Sequence, residues 1–310
     1  MQIVLTPAIC SFSMIDIVFL GTSCMKPTKE RNQTSVFLSY KNEGIMFDCG
    51  EGAQRQLRLA NVKPTKITKI LLSHWHGDHI LGLPGLLQTI GSENYEGTLE
   101  IYGPKGSKKF FENMKKSFFF EENLSTEIKE VESGKFFENS DFYLEAAELD
   151  HRVPTIGFAF VEKDRLKINM PFLKKQGIPE GPHLGKLQDG KKIEWKGKVI
   201  LPEDATKRIK GKKVAYVTDT LMCQGCFTLA KDANLLISEA VYVDELKEKA
   251  IAHKHMTAQQ AAMVASKSGA EKLVLIHFSQ RYKTTEPIET EARTYFKNTV
   301  CSYDLMKLGI

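Results

Sequence analysis

The stretch LLSHWHGDHILGLPGLL, residues 71–87, is the most informative part of the sequence for predicting the fold. The chain has eight histidines among 310 residues, yet three of them fall within six positions of this stretch, together with one aspartate. A short apolar run comes directly before them, and such a run predicts a buried strand that leads into a loop. Histidine and aspartate are common ligands of metal ions, so the spacing indicates a metal site rather than a chance cluster.

The local geometry of this motif favours two ions rather than one. If His74 and His76 continue the strand, they point to the same side, because side chains alternate along a strand. Gly77 then lets the chain turn, so that Asp78 and His79 lie beside the first pair. A structural zinc site needs four ligands that close the coordination sphere. The excess of ligand types and the absence of cysteine favour an open, catalytic site instead.

Length and composition narrow the class of protein. A chain of 310 residues suggests one large domain or two small ones, and 42 % hydrophobic residues can bury a substantial core. No apolar run reaches the roughly 20 residues of a membrane span. The N-terminus has no basic start and no clear cleavage site, which argues against a signal peptide. Met14 directly precedes a strand-like run, so residues 1–13 are interpreted as an N-terminal extension.

Cysteine usage indicates a reducing compartment. The chain has six scattered cysteines: Cys10, Cys24, Cys49, Cys223, Cys226 and Cys301. Scattered cysteines in a large chain favour free thiols in a cytoplasmic protein. Cys223 and Cys226 form a lone C-x-x-C, and a redox or metal role requires a second pair or a thioredoxin-like context, so packing is the default interpretation.

Apolar periodicity predicts a layered α/β protein. Short runs rich in valine, isoleucine and phenylalanine predict strands at 15–20, 35–38, 45–47, 70–72, 99–102, 142–146, 156–161, 214–217, 235–237 and 273–276. Helical patterns lie at 53–59, 83–90, 108–118, 258–268 and 288–296. Thr257 is a plausible cap for the fourth helix, and Pro287 suits the start of the last. The interspersed elements favour mixed sheets covered by helices.

One segment differs in charge from the rest. Residues 163–198 hold ten Lys and Arg against four Asp and Glu, whereas the whole chain has a formal net charge of only +5. The segment is dense in glycine and proline and poor in periodicity. We interpret residues 164–198 as a flexible, protruding basic arm inserted into the domain of residues 14–310. A solvated loop is the alternative, since charge runs usually face water.

The H-x-H-x-D-H motif resembles the signature of the metallo-β-lactamase superfamily. That resemblance implies a four-layered αββα sandwich with two metal ions at one end of its sheets. It also implies ligands downstream, and His151, Asp219 and His277 each stand just past an apolar run. Side chains at such strand ends can reach a common rim.

The resemblance implies one ligand set for each ion. The first ion would be held by His74, His76 and His151, the second by Asp78, His79 and His277, and Asp219 would bridge them. Nitrogen and carboxylate ligands without thiolate suit Zn²⁺, with Mn²⁺ or Fe as lesser options. Two ions roughly 3.5–4 Å apart lower the pKa of a bridging water and stabilise both the attacking and the leaving oxygen of a displacement reaction. Asp78 is also expected to orient that water.

Four further stretches resemble the ribonuclease Z family, whose members trim the 3′ trailer from precursor tRNA. They are GTSCMKPTKERNQTS (21–35), FDCGEGAQRQL (47–57), GIPEGPHLGKL (177–187) and HMTAQQAAMVA (255–265). The resemblance runs from about residue 14 to the C-terminus. It implies a precursor tRNA substrate and a homodimer in which the arm of one subunit serves the site of the other.

Substrate-binding residues follow from the same resemblance. Pro27 stiffens a loop that presents Lys29 and Arg31, and such cations can bind the RNA backbone near the acceptor end. The alternative is that they are ordinary surface charges. The arm motif, represented by Gly181, Pro182, Gly185 and Lys186, would grip the tRNA elbow by shape and charge.

The resemblance also implies a proton donor outside the ligand set. His255 would contact the scissile phosphate and protonate the leaving oxygen. Glu239 would orient it, and a paired carboxylate raises the pKa of a histidine. Glu239 as a purely structural partner is the alternative.

Two other functions stay open on the sequence. A small-molecule phosphodiesterase or other hydrolase could use the same scaffold, but it has no need of the GIPEGPHLGKL element. A catalytically silent RNA-binding subunit is disfavoured by the complete ligand set.

Overall fold

Two mixed sheets form the framework of the computed structural model, which describes residues 15–119 and 123–310. The N-terminal extension predicted for residues 1–13 lies outside the described residues. The first sheet, as described, contains β1 (Ile15–Gly21), β2 (Ser35–Tyr40), β3 (Glu43–Phe47), β4 (Lys69–Leu71), β5 (Thr98–Gly103) and β6 (Ser125–Glu130), with the C-terminal strand Lys307–Gly309 beside β1. Strands β1 to β3 pair antiparallel and β3 to β6 pair parallel.

The second sheet repeats this mixture. Among the described residues it contains β7 (Gly134–Glu138), β8 (Phe142–Leu149), β9 (Thr155–Glu162), and, after an insert, β14 (Lys213–Val217), β15 (Leu235–Glu239), β16 (Leu273–Ile276) and β17 (Thr299–Cys301). The insert carries β10 to β13, and β18 is the C-terminal strand of the first sheet. Strands β7, β8, β9 and β14 pair antiparallel, and β14 to β17 pair parallel. Strand β8 therefore runs in the same direction as β14, β15 and β16.

Helices cover the outer face of each sheet. The helices among the described residues are α1 (Ala53–Leu59), α2 (Gly77–Ile80), α3 (Leu83–Ser92), α4 (Ser107–Lys116), α5 (Met170–Lys175), α6 (His183–Gln188), α7 (Pro202–Ala205), α8 (Gln224–Ala230), α9 (Lys247–His253), α10 (Ala258–Lys267) and α11 (Glu286–Tyr295). Of these, α5, α6 and α7 lie in the insert. The first sheet packs against α1, α3 and α4, and the second against α8, α10 and α11. No helix within the described ranges is both long enough and apolar enough to cross a bilayer.

Three apolar clusters stack across these layers. Between the sheets, buried aromatic and aliphatic side chains such as Phe47, Phe158 and Tyr216 interdigitate. Outside them, Leu86 of α3 and Val264 of α10 belong to the two outer clusters. The order is helix, sheet, sheet, helix, which confirms the predicted αββα sandwich.

The predicted elements are found where apolar periodicity was strong. Each predicted strand and helix overlaps an observed one. Thr257 closes a capping box with Gln260, and Pro287 lies in the first turn of α11. The sequence missed β6 and β7, because these strands are only half-buried and their apolar alternation is weak.

The insert between β9 and β14 is longer and more structured than the sequence indicated. Two strand pairs lie within residues 165–209: β10 (Arg165–Ile168) with β13 (Thr206–Ile209), and β11 (Ile193–Trp195) with β12 (Lys198–Ile200). Together with α5, α6 and α7 they enclose a separate cluster of buried side chains that includes Leu173, Leu187 and Ile200. The apolar residues are irregularly spaced, so periodicity did not reveal this small core.

Candidate metal centre

The site forms where strands of both sheets end at one edge. The residues at or just beyond these carboxyl ends are Asp48 after β3, His74 after β4, His151 after β8, Asp219 after β14, Glu239 in β15 and His277 after β16. Asp48, Asp219 and His277 have positive φ angles of 53°, 38° and 63°. Few residues other than glycine adopt such angles, and they concentrate at functional sites. The fold therefore bends three strand ends sharply to aim these side chains inward.

The motif after β4 differs from its predicted geometry. Strand β4 ends at Leu71, so His74 and His76 lie in a loop and not in alternating strand positions. His76 is the N-cap of α2, and the single turn of that helix carries Asp78 and His79. A strand cannot place four ligands at one point, whereas a loop followed by a helical turn can.

The first ligand group is formed by His74, His76, His151 and Asp219. Their ligand atoms all lie within 4.8 Å of one another. His76 Nδ1 lies 2.9 Å from His74 Nε2 and 3.3 Å from His151 Nε2. Asp219 Oδ2 lies 3.7 Å from His74 Nε2 and 3.8 Å from His151 Nε2. Three ring nitrogens and a carboxylate oxygen thus face a common point.

The second group is formed by Asp78, His79, His277 and, again, Asp219. Asp219 Oδ1 lies 3.4 Å from His79 Nε2 and 3.2 Å from His277 Nε2. Asp78 Oδ2 lies 3.4 Å and 3.5 Å from the same two nitrogens. Asp219 therefore turns one oxygen toward each group. The structure brings together all seven residues of the predicted ligand set, in the two predicted groups.

Asp48 is a functional residue that sequence reasoning missed. Its side chain is fully buried and lies 2.8 Å from His79 Nδ1. It also accepts hydrogen bonds from the Ser73 amide and hydroxyl, at 2.7 and 2.9 Å, and from Tyr216 OH at 2.7 Å. Such acceptors fix the tautomer and orientation of a ligating histidine. The available signal was its position directly after a predicted strand, inside the stretch FDCGEGAQRQL.

Other imidazoles of the site are oriented in the same manner. His151 Nδ1 donates to the Lys254 carbonyl at 3.0 Å, and His74 Nδ1 lies 3.0 Å from the Ser73 hydroxyl. Buried His277 Nδ1 has no hydrogen-bond partner within the described residues. With Nδ1 committed elsewhere, His74, His79 and His151 each leave Nε2 facing the ligand cluster.

Charge and burial suit the cluster to a cation. Burial holds the pKa of His74 well below its ordinary value, so its ring is neutral and can act as a ligand. Burial alone would raise the pKa of Asp219, but the facing His277 and His79 hold it well below its usual range. Burial likewise opposes ionisation of Asp78, and the adjacent His79 and His277 again lower its pKa. Burial also lowers the pKa of His76 and His151. Burial would lower the pKa of His79 as well, but Asp219 and Asp78 raise it well above its ordinary value, so a divalent cation would displace a proton from His79 on binding.

His255 and Glu239 form a separate pair beside the ligands. His255 Nδ1 lies 3.0 Å from Glu239 Oε2, and that carboxylate is fully buried. Burial would lower the pKa of His255, but Glu239 outweighs it and raises the pKa to about 9. A second oxygen of Glu239 accepts from the Thr220 amide, which ties the pair to the loop of Asp219. The structure thus brings His255 and Glu239 together beside the ligands.

The ligands open into a cleft of about 780 Å³. Its wall includes the exposed cations Lys26, Arg152, Lys249 and Arg281. None of these four was singled out from the sequence, because single basic residues on exposed loops carry no pattern. A cleft with this rim favours an anionic ligand.

The predicted substrate-binding residues lie in different settings. Pro27 and Lys29 are exposed on the loop between β1 and β2. Arg31 is buried instead, and its guanidinium donates to the backbone carbonyls of Ser279 and Tyr282. Arg31 therefore positions the loop of residues 279–282, and its prediction as a free cation for RNA does not fit this structure.

The predicted arm residues lie in the insert, outside the cleft. Pro182 is the N-cap of α6, and Gly181 comes directly before it. Gly185 and Lys186 are exposed on that helix. The structure does not bring these four together with the ligands.

A helix–sheet–sheet–helix sandwich with two His/Asp clusters at one edge defines the class of metallo-β-lactamase folds, whose fold implies divalent metal binding. Residues 28–157 match the family described as the metallo-beta-lactamase superfamily. Ribonuclease Z of Methanothermobacter thermautotrophicus is 39 % identical over 298 residues, covering 96 % of this chain and 97 % of that protein. Ribonuclease Z of Nanoarchaeum equitans is 40 % identical over 267 residues, covering 86 % and 84 %.

A solved structure agrees with these relatives. The crystal structure of human tRNase Z, short form (ELAC1), matches with a TM-score of 0.70 and 29 % identity, covering 95 % of this chain and 99 % of that one. The chain belongs to the ribonuclease Z family of endoribonucleases.

Proposed function

We propose that this chain is a zinc-dependent endoribonuclease that removes the 3′ trailer from precursor tRNA and leaves a 3′-hydroxyl on the tRNA. The observation that carries the proposal is the position of Asp219, which presents one oxygen to each of two ligand groups inside a cationic cleft. Family membership supports the RNA substrate, and the name of the human relative, tRNase Z, supports tRNA in particular.

The donor set supports zinc in both positions. Five imidazoles and two carboxylates, without a thiolate, suit Zn²⁺ better than Mg²⁺ or Ca²⁺, and leave Mn²⁺ or Fe as lesser options. When bound, such ions supply an activated water and neutralise charge on the phosphate. The chain's own contribution is to hold the seven ligands with little freedom, because five of them are buried and His74, His79 and His151 are each hydrogen-bonded through Nδ1.

Two residues, Asp78 and His255, are assigned roles in the reaction itself. Asp78 lines the cleft, and its proposed role is to accept a hydrogen bond from the attacking water. His255 also lines the cleft, and its Nδ1 is committed to Glu239, so Nε2 is free to act on substrate. In its protonated form His255 donates to the scissile phosphate and then to the leaving oxygen, as a general acid does.

Substrate binding is assigned to basic side chains around and beyond the cleft. Lys26, Arg152, Lys249 and Arg281 would contact phosphates next to the cleaved bond, and the loop of Pro27 and Lys29 would contact the acceptor end. The basic arm of residues 164–198, within the structured insert, would hold the tRNA elbow. We also propose that the chain works in the cytoplasm as a homodimer, with the arm of one subunit serving the site of the other. Light scattering at working concentration tests the dimer.

The decisive experiment is incubation with a precursor tRNA that carries a 3′ trailer, followed by mapping of both new ends. We expect one cut at the trailer junction, a 3′-hydroxyl on the tRNA, loss of activity with a chelator, and recovery with Zn²⁺. Scattered cuts, or hydrolysis of small phosphodiesters without any cut in precursor tRNA, would show that the substrate is a different one.

A further inference from the structure

A pair of thiols lies outside the metal ligands, at the start of α8. Cys223 is the N-cap of that helix, Cys226 lies in its first turn, and their Sγ atoms are 3.8 Å apart. Cys226 is fully buried. Cys223 is half-buried and lines a cavity of about 600 Å³ next to β8, so a small molecule can reach it. One accessible and one buried thiol at the start of a helix is the arrangement found in dithiol redox centres.

The two thiols are also differentiated chemically. The hydrogen bond from Cys226 lowers the pKa of Cys223 to about 5, so Cys223 is a thiolate at neutral pH. The same contact and burial raise the pKa of Cys226, which keeps its proton. Burial raises the pKa of Cys24, Cys49 and Cys301, and these thiols are expected to react slowly.

We propose that Cys223 and Cys226 form a redox-active dithiol that a small-molecule disulfide oxidises to an intramolecular disulfide. The Cys223 thiolate attacks one sulfur of the small disulfide, whose S–S bond breaks and releases a first thiolate. The Cys226 sulfur then gives up its proton and attacks Cys223 in the mixed disulfide, which releases a second thiolate. The protein loses two electrons and the one proton of Cys226, and the small disulfide becomes two thiols by taking up that proton and a second one from solvent.

The dithiol is in contact with the loop that follows Asp219. Cys223 Sγ lies 3.6 Å from the Thr220 hydroxyl, and Cys226 Sγ lies 3.7 Å from the Leu221 carbonyl oxygen. A disulfide requires the two sulfurs at about 2.05 Å and removes the Cys226 proton. Closure therefore draws the two sulfurs together from 3.8 Å and shifts their contacts with Thr220 and Leu221.

Thr220 connects this loop to two parts of the metal centre. Its hydroxyl accepts from the Asp150 amide at 3.0 Å, next to the ligand His151. Its amide donates to Glu239, the partner of His255. We therefore expect oxidation to slow RNA cleavage several-fold, and this second part rests on the proposed function.

Peptide mapping tests the dithiol independently of any activity. The metal-loaded full-length protein is equilibrated with glutathione disulfide, alkylated and digested with trypsin; residues 214–231 form one tryptic peptide that holds both cysteines and no other. We expect a peptide two hydrogen atoms lighter than the reduced form, which dithiothreitol reverts. Cys301→Ala should behave as the parent, and Cys226→Ser should trap glutathione on Cys223. A peptide that stays alkylated on both cysteines overturns the proposal.

Cleavage rates test the second part. Oxidised protein should cleave precursor tRNA several-fold more slowly than the same sample after dithiothreitol, and Cys223→Ser should not respond. If the peptide oxidises and the rate does not change, the coupling to the metal centre is overturned while the dithiol stands. If the reduced protein cleaves no precursor tRNA, the proposed function fails, and the peptide measurement still decides the dithiol.

Discussion

The metal centre and the insert of residues 165–209 are built in opposite ways. The centre draws its ligands from strand ends of both sheets, and His74, His79 and His277 are almost completely buried. The insert leaves the second sheet after β9, returns at β14, and keeps its own small cluster of apolar side chains. Most of its lysines are exposed. A change in the centre therefore disturbs many contacts, whereas a change in the insert stays local.

This difference predicts a separation of chemistry from substrate grip. Variants at the centre should lose hydrolysis of every substrate. Variants of the insert should lose activity on precursor tRNA and retain hydrolysis of small phosphodiesters. Five experiments test that separation.

The largest effect is expected for Asp219→Asn. Asparagine tolerates the positive φ of this position, so the variant removes charge and bridging capacity without straining the backbone. We expect loss of most bound metal and of nearly all activity on both substrate types. Elemental analysis with two metals per chain and normal turnover would contradict the bridging role. Asp232→Asn, at an exposed aspartate that also has a positive φ, is the matched control.

The second effect concerns His255→Ala. Both metals should remain, because His255 is outside the two ligand groups, while single-turnover cleavage falls by roughly 10²–10⁴-fold, as for loss of a general acid. A rate within a few-fold of the parent, at full metal content, would show that His255 has no part in the reaction.

A pH profile sharpens this assignment. The pKa of His255 is raised from its ordinary value of 6.5 to about 9. The ring is therefore protonated at pH values below about 9, and it loses its proton as the pH rises through that value. Glu239→Gln removes the main cause of the increase, and the alkaline limb of the rate profile should move to lower pH. An alkaline limb at the same pH in both proteins would assign it to another group.

The third effect concerns the insert. Replacing residues 165–209 with a short glycine–serine linker should leave the sheets and metals intact, because the cluster within the insert is separate from the others. Precursor tRNA should bind more weakly and with a flatter salt dependence, since each lost phosphate contact removes a counterion-release contribution. Hydrolysis of a small activated phosphodiester is the control and should persist. If the affinity for tRNA and its salt dependence were the same as in the parent, the insert would be only a solvated surface element without a role in substrate binding.

The smallest effect is expected for Asp48→Asn. Asp48 touches no substrate but orients His79, and loss of such a partner costs roughly 10–100-fold in metal affinity or activity. Tyr216→Phe removes one donor to Asp48 while leaving the carboxylate, and should be milder. Metal titration of both variants gives the measurement, and equal affinities in Asp48→Asn and the parent would count against the orienting role.

Sequence patterns were sufficient where side-chain spacing repeats with the period of a strand or helix. Strands such as β9 and β16 are continuous buried runs, and their ends could be placed within a few residues. The motif of His74 to His79 identified the metal centre because ligand-type residues seldom cluster so closely. The small core of the insert and the half-buried strand β7 were missed, since neither has a regular apolar period.

The amino-acid sequence was sufficient to predict the layers of the fold and the types of ligand. Its resemblance to a known family was sufficient to assign those ligands to two groups. The tertiary structure was needed to show how they meet: which oxygen of Asp219 faces each group, that Asp48 supports His79, and that Arg31 turns inward to a loop more than 240 positions away. The reason is physical. Periodicity reports which side of an element is buried, but the direction of a side chain at a strand end depends on single φ values and on neighbours that are distant in the chain.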